Sequence, residues 1–383
     1  MLRDRHLIVF GEDFNRHPHC LEHLVRRLIP FNRVLWVETI GMRSPKLSIY
    51  DLKRVWQKLG TWFRRSTKST GGETSLPANL SLISPLMIPY NRYRLIRKLN
   101  RFLVVRSVKK AMRVLAFQQP ILLTSIPSTC DFIDHLGEAL SIYYCVDEFS
   151  LWPGIDPGVI GPMERELISK VDLVLTTSDA LFEAKQKLHP GTELLTHGVD
   201  VEHFRVLGEA RGNRKKVGFF GLIDERVDRT LLLALSKRFP SVEFHFIGEV
   251  VVELGSLHKQ QNLIWHGKLS YDKLPEAIQD YSLFILPYLV NELTRFINPL
   301  KIKEYLATGR PVVTTSLKEL ERFQDVVWVA RDYEGFFRGV SDVLEERRAI
   351  DSHLIERHLK GQSWDDKAEW LSQRVNSLPS KSK

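Results

Sequence analysis

The chain has 383 residues, long enough for two domains that each bury a core. Its 43% hydrophobic and 26% charged residues exclude a disordered chain, and three scattered cysteines, Cys20, Cys130 and Cys145, exclude a disulfide framework or a closely spaced zinc site. A net charge of +9 favours polyanionic partners such as phosphates, anionic lipid or nucleic acid, without choosing among them.

The first apolar run, Leu7 to Phe10, is too short for a signal-peptide core and reads as a strand. No stretch approaches the roughly 20 apolar residues that span a bilayer. The expected location is cytoplasmic, or peripheral on the cytoplasmic face of a membrane. Further strands are predicted at Arg33–Glu38, Ile121–Thr124, Ile142–Val146 and Asp172–Thr177. A second series follows at Lys216–Phe220, Val242–Ile247, Leu263–His266, Leu283–Leu286, Pro311–Thr315 and Val326–Val329. Continuous apolar strands separated by helical patterns are the mark of parallel sheets covered on both faces. The count exceeds one sheet, and the polar stretch from Gly208 to Lys216 reads as a linker. The fold class is therefore α/β, with two Rossmann-like domains facing a cleft.

The region 48–113 interrupts the alternation. Trp56, Trp62 and Phe63 stand beside Arg64, Arg65 and Lys68, and Asn91 to Arg113 carries nine basic residues and no acidic one. Leu95, Ile96, Leu99, Phe102 and Leu103 share one helical face, and Arg94, Arg97, Lys98 and Arg101 another. Arg106, Lys109, Lys110 and Arg113 then rotate onto the apolar side. The region reads as a solvated surface helix or as a contact with anionic lipid or a phosphate-bearing acceptor. No nucleic-acid motif accompanies it, so nucleic acid is not an expected partner.

The segment richest in chemistry runs from Asn298 to Val313. Asn298 suits a helix N-cap, Pro299 the first helical position, and Gly309 the stop. This helix begins after an apolar strand ending at Pro287, and ligands bind at the carboxyl ends of strands in open α/β sheets. Its N-terminus offers N–H groups and partial positive charge to a phosphate, and Lys301 adds a full charge. Glu304, one turn on, offers an acceptor for a ribose diol; the simpler alternative is an ion pair with Lys301 at i,i+3 spacing.

The segment resembles the donor-binding helix of glycosyltransferase family 4 and related retaining GT-B enzymes, matching at Lys301, Glu304, Tyr305, Ala307, Gly309, Pro311, Val312 and Val313. Further similarity lies in Val171–Ser178 with His197–Phe204, in Val217–Gly221 with Arg226, and in Asn262–Gly267 with Leu274-Pro275. The family usually has Asn where His197 stands, Arg where Leu222 stands and Glu where Phe296 stands. The resemblance implies an acceptor domain over 1–207, a donor domain over 208–350, and helices over 351–383 that pack back on the first domain.

It also implies a donor site of Gly221, Arg226, Asn298, Pro299, Leu300, Lys301 and Glu304, with Glu292 substituting from its loop for the missing glutamate. Lys301 and Arg226 would stabilise the departing diphosphate. In the first domain, Asp147 and Glu148 end a strand at the cleft and are candidates for orienting or deprotonating an acceptor hydroxyl. Trp152, Asp13 and Arg16 complete the candidate acceptor contacts. No Asp-x-Asp motif is present, so neither metal nor cofactor is expected. The implied activity is metal-independent, retaining transfer from a UDP- or GDP-sugar to a glycan or lipid-linked acceptor in surface-polysaccharide synthesis. A nucleotide-sugar 2-epimerase and a non-catalytic scaffold are the alternatives on the same fold.

Overall fold

The computed structural model describes residues 1–14, 19–39, 76–205, 213–347 and 351–379. Arg16 and the tryptophan-rich segment of the basic region lie outside the described residues.

The N-terminal domain contains β1 (His6–Gly11), α1 (Cys20–Leu28), β2 (Arg33–Glu38), β3 (Leu80–Ile83), α2 (Arg94–Val114), β4 (Ile121–Thr124) and β5 (Leu140–Cys145). It continues with α3 (Pro157–Ile168), β6 (Leu173–Thr176), α4 (Asp179–Gln186), β7 (Thr192–Leu194) and α5 (Val201–Phe204). Its strands form one parallel sheet in the order β3-β2-β1-β4-β5-β6-β7.

The C-terminal domain begins with β8 (Asn213–Phe220), α6 (Arg229–Arg238), β9 (Glu243–Ile247), β10 (Leu263–Gly267), α7 (Leu274–Ile278) and β11 (Tyr281–Leu286). Then come α8 (Glu292–Arg295), α9 (Leu300–Ala307), β12 (Val312–Thr315), β13 (Trp328–Ala330) and α10 (Tyr333–Leu344). Its sheet, also parallel, is ordered β10-β9-β8-β11-β12-β13. A tail of α11 (Ser352–Leu359) and α12 (Trp364–Ser377) ends the described chain. The two Rossmann-like domains predicted from the sequence are present.

Strand alternation explains why the runs are apolar throughout. Leu7 and Val9 of β1 join one core with Leu21, Leu24 and Val25 of α1, while Ile8 and Phe10 join a second core with Val104 and Val108 of α2. The tail divides between the domains. Ile355 and Leu359 of α11 complete the C-terminal core, whereas Trp364, Ala368, Leu371 and Val375 of α12 complete a core of the N-terminal domain. The returning element is thus α12, and α11 stays with the second domain.

Two strands escaped sequence reading. β3 (Leu80–Ile83) and β7 (Thr192–Leu194) lie at sheet edges and are mostly half-buried, so Ser81, Thr192 and Glu193 interrupt the continuous apolar run by which the other strands are read. In the other direction, β8 reaches back to Asn213, so the second half of the polar stretch read as linker is strand. In each sheet the strand order reverses once, between β1 and β4 and between β8 and β11. Those switch points are where a parallel sheet leaves room for a ligand.

Candidate donor site at the interdomain cleft

The C-terminal switch point is built from the ends of β8 and β11. Gly221 and Gly248 follow β8 and β9, with φ of +148° and +155°. The Gly221 amide donates to the Ile247 carbonyl at 2.9 Å. A Cβ on Gly248 would overlap the carbonyl oxygen of Gly221, so the two strand ends meet only because Gly248 carries no side chain.

Helix α9 starts beside them. Tyr305, fully buried, fixes its position: its hydroxyl donates to the Phe220 carbonyl at 3.1 Å and accepts from the Phe220 amide at 3.2 Å. Its ring stacks on Phe284 with centroids 4.8 Å apart. The last residue of β8 is thereby clamped to the middle of α9, and the first turn of the helix is held against Gly221. No side chain of the described residues caps that turn, so the Leu300 and Lys301 amides are left without intrahelical acceptors.

The cap expected at Asn298 is not there. Asn298 is buried, and its side-chain amide donates to the Thr177 carbonyl of the N-terminal domain at 2.7 Å. Pro299 occupies the N-cap position, and the helix runs eight residues, Leu300–Ala307. Asn298 ties the domains together rather than capping the helix. Leu300, half-buried, packs against an N-terminal core.

Lys301 and Glu304 form the ion pair that is the simpler alternative for Glu304, Nζ to Oε2 at 2.6 Å, but in a sheltered setting: the Glu304 side chain is 5% exposed. The Lys301 ammonium also lies 5.1 Å from the centre of the Phe220 ring. A lysine restrained by a buried carboxylate and an aromatic face is a preorganised cation.

Arg226 is the second cation. Asp224, buried and absent from the sequence-derived candidates, grips its guanidinium, with Nε 2.9 Å and 3.0 Å from the two carboxylate oxygens and an Nη 2.6 Å from one of them. The guanidinium lies 5.1 Å from the Trp152 ring of the first domain and 5.4 Å from the Tyr288 ring of the second. Trp152, predicted as an acceptor contact, therefore faces a predicted donor residue across the cleft. Its indole Nε1 has no hydrogen-bond partner among the described residues.

Asp147 belongs to the same group. Burial raises its carboxyl to about 7, with Arg226 opposing and Asp224 reinforcing the shift. Glu148 does not pair with it. The Glu148 carboxylate binds Lys185 at 2.7 Å and Ser150 at 2.5 Å, and Lys185 binds the buried Glu164 at 2.7 Å. The two neighbouring carboxylates thus serve different partners.

Glu292 lies on the exposed surface of α8, with Arg295 3.7 Å away. Phe296, where the resemblance calls for a glutamate, packs against the N-terminal core, and its carbonyl accepts a 2.6 Å hydrogen bond from Ser178. The position serves the domain interface. Asp13 sits in the turn after β1.

Other residues escaped sequence reading. Lys303 is buried and donates to the His197 carbonyl at 2.6 Å, to Gln362 at 2.7 Å and to Thr196 at 3.3 Å, joining α9 to the first domain and the tail. Burial pushes its amine well below the usual lysine range. His23 of α1 stacks on Trp364 at 5.2 Å; burial and then the charge of Lys301 lower it to about 3. Burial, with Lys303, also lowers His197 to about 3, and its Nε2 lies 3.8 Å from the Cys20 thiol. Only the Lys-x-Lys spacing in α9 hinted that one lysine stays on the cleft side and the other meets the partner domain.

The Cys130–Asp131–Glu166 group has the spacing of a metal site, but both its carboxylates clasp Arg97 of α2, at 2.7–2.9 Å. No helix of the described residues is long and apolar enough to cross a membrane.

Residues 214–346 match the family profile described as glycosyl transferases group 1. A protein of Bacillus subtilis (strain 168), named as a candidate teichuronic acid biosynthesis glycosyltransferase, is 28% identical over 181 residues. That match covers 43% of this chain and 46% of the relative, about half of its length. The structure of Anabaena HepE in complex with UDP-glucose superposes with a TM-score of 0.68 at 10% identity, covering 97% of this chain and 100% of that one. Sucrose-phosphate synthase from Thermosynechococcus elongatus gives 0.67 at 13% identity, over 98% and 99% of the two chains. At these identities the likeness is one of fold: two Rossmann-like domains in the GT-B arrangement.

Proposed function

We propose that the chain is a glycosyltransferase that takes a sugar from a nucleoside diphosphate sugar and passes it to a glycan or lipid-linked acceptor in surface-polysaccharide synthesis. One observation carries the reading: the uncapped first turn of α9, with Lys301 beside it, sits at the switch point of the C-terminal sheet. The group 1 profile falls on that domain, and the Bacillus relative supports the polysaccharide acceptor. UDP is the favoured nucleotide because the GT-B neighbour HepE holds UDP-glucose.

In the proposed reaction the bond between the anomeric carbon and the diphosphate breaks, and negative charge develops on the leaving phosphate. Lys301, Arg226 and the free amides of α9 are oriented before the reaction, so they stabilise that charge without reorganising. Glu304 holds Lys301 and accepts from the ribose. Asp147, half-protonated near neutrality, exchanges a proton with the acceptor hydroxyl. The positive charge comes from side chains and amides, and the transfer is metal-independent. The anomeric configuration is retained, as in the retaining enzymes that the α9 sequence resembles.

Steady-state turnover with UDP-, GDP- and dTDP-sugars, with and without EDTA, in the presence of membrane extract tests the reading. Transfer from a UDP-sugar that survives EDTA is expected, with product anomer assigned by NMR. Donor hydrolysis or epimerisation independent of any acceptor would refute it.

A further inference from the structure

Helix α2 is mounted on the first domain in an unexpected orientation. Its inward face carries Asn100, Val104 and Val108, together with Arg97, which is gripped by Asp131 and Glu166. The leucines of its first half point the other way: Leu95 is 80% exposed, Phe102 61% and Leu99 44%. At about 100° per residue, Leu95, Lys98, Leu99, Phe102, Arg106, Lys109, Lys110 and Arg113 fall within an arc of about 120°. All eight are exposed. The sequence suggested a helix whose amphipathic pattern fails halfway. The structure shows one outward stripe, apolar save for Lys98 along its first two turns and basic along the rest. Tyr93, at 59%, and Leu86 are also exposed, in the loop before the helix.

We infer that this stripe docks the protein on a bilayer rich in anionic lipid, with Leu95, Leu99 and Phe102 entering the headgroup boundary and Arg106, Lys109, Lys110 and Arg113 pairing with lipid phosphates. Charge complementarity selects this occupant. The stripe carries five cations and no anion, and nine basic residues crowd Asn91 to Arg113 without an acidic one. An apolar wedge and a polybasic run are the two signals that together hold a protein on a membrane surface. A soluble protein partner of ordinary composition would not call for both on one helix.

Co-sedimentation with two kinds of vesicle tests the assignment: phosphatidylcholine alone, and equal parts of phosphatidylcholine and phosphatidylglycerol. The intact protein is expected on the anionic vesicles only, and to leave them in about 0.5 M salt, where screening reaches a few ångströms. Leu95→Ser, Leu99→Ser and Phe102→Ser combined should weaken partitioning about tenfold. Arg106, Lys109, Lys110 and Arg113 all changed to Gln should weaken it on the order of a thousandfold. Lys318→Gln, on the second domain, is the control. Because the substituted side chains are exposed, thermal melts should match the parent and separate lost docking from lost folding.

Equal binding to both vesicles, or anionic binding untouched by either combined variant, would overturn the assignment. So would a dimer in sedimentation velocity that the serine variant dissolves without any vesicle binding. Duplex DNA binding in the absence of vesicle binding would overturn it equally.

Discussion

Lys301 and Glu304 are held 2.6 Å apart on one face of α9, with the carboxylate almost wholly buried and the ammonium at the cleft. The pair gives the helix a cation fixed in place and a carboxylate with one oxygen engaged. In the proposed reaction the first meets the diphosphate and the second the ribose.

Lys301→Ala is expected to lower kcat/KM with a UDP-sugar by about 10²- to 10³-fold, the scale of removing one preorganised charge partner from a transition state. Glu304→Ala should act on nucleotide recognition. Hydrogen bonds to charged groups contribute about 1.5–3 kcal/mol, so the parent should prefer UDP to 2′-deoxy-UDP by roughly tenfold or more. The variant should bind the two alike. Calorimetric titration checks both, and an unchanged preference would remove Glu304 from the ribose.

Gly248 and Gly221 should respond differently to alanine. At Gly248 the new Cβ meets the Gly221 backbone, which cannot yield, and φ is +155°. Gly248→Ala should cost several kcal/mol and be seen as loss of cooperative melting or of soluble protein. At Gly221 the nearest atom is Lys301 Cε, 3.2 Å away on a flexible side chain, although its φ of +148° also strains an alanine. Gly221→Ala should keep a cooperative melt, destabilised by about 1–3 kcal/mol of backbone strain, and lose activity because the lysine is the part that moves.

Asp147 reports on the cation across the cleft. Burial raises its carboxyl to about 7, against the lowering effect of Arg226 and with the raising effect of Asp224. Arg226→Gln should move its titration upward and Asp224→Asn downward, in carboxyl NMR or in the acidic limb of the rate profile. Shifts in the same direction would separate Asp147 from the pair.

His197 sets an acid limit on stability. Its folded value, about 3, lies below the ordinary histidine value, so the unfolded chain binds the extra proton between the two. Stability is therefore full above about pH 6.5 and is lost as pH falls below it, at about 1.4 kcal/mol per pH unit for one such group. His197→Asn should flatten the decline in urea midpoint between pH 7 and 5. A parallel decline in both proteins would show that His197 does not contribute.

The parts of the site legible in the sequence are local. The presence of α9, its glycine stop and the i,i+3 ion pair follow from neighbours within a few residues and are present in the structure, while the helix starts one residue later than its sequence suggests. Burial of Glu304 was not legible, because the Tyr305 clamp depends on Phe220, far along the chain. Asn298 illustrates the limit most directly. Its residue type suits a cap, but a carbonyl 121 residues away in sequence claims the side chain. Asp147 and Glu148 look paired on paper, yet adjacent residues at a strand end diverge, and Lys185 claims the second. Phe296 departs from the resemblance pattern for a reason visible only in three dimensions, since an apolar wall of the other domain receives it.

The return of α12 has a consequence for how the protein is made. Trp364, Ala368, Leu371 and Val375 belong to the core under β1 and α1, although they are translated after the entire second domain. On the ribosome the second domain has all of its sheet before the first has all of its core. The half that is synthesised first is therefore completed last. Until α12 emerges, an apolar face of the nascent N-terminal domain stays uncovered and is the surface a chaperone would meet.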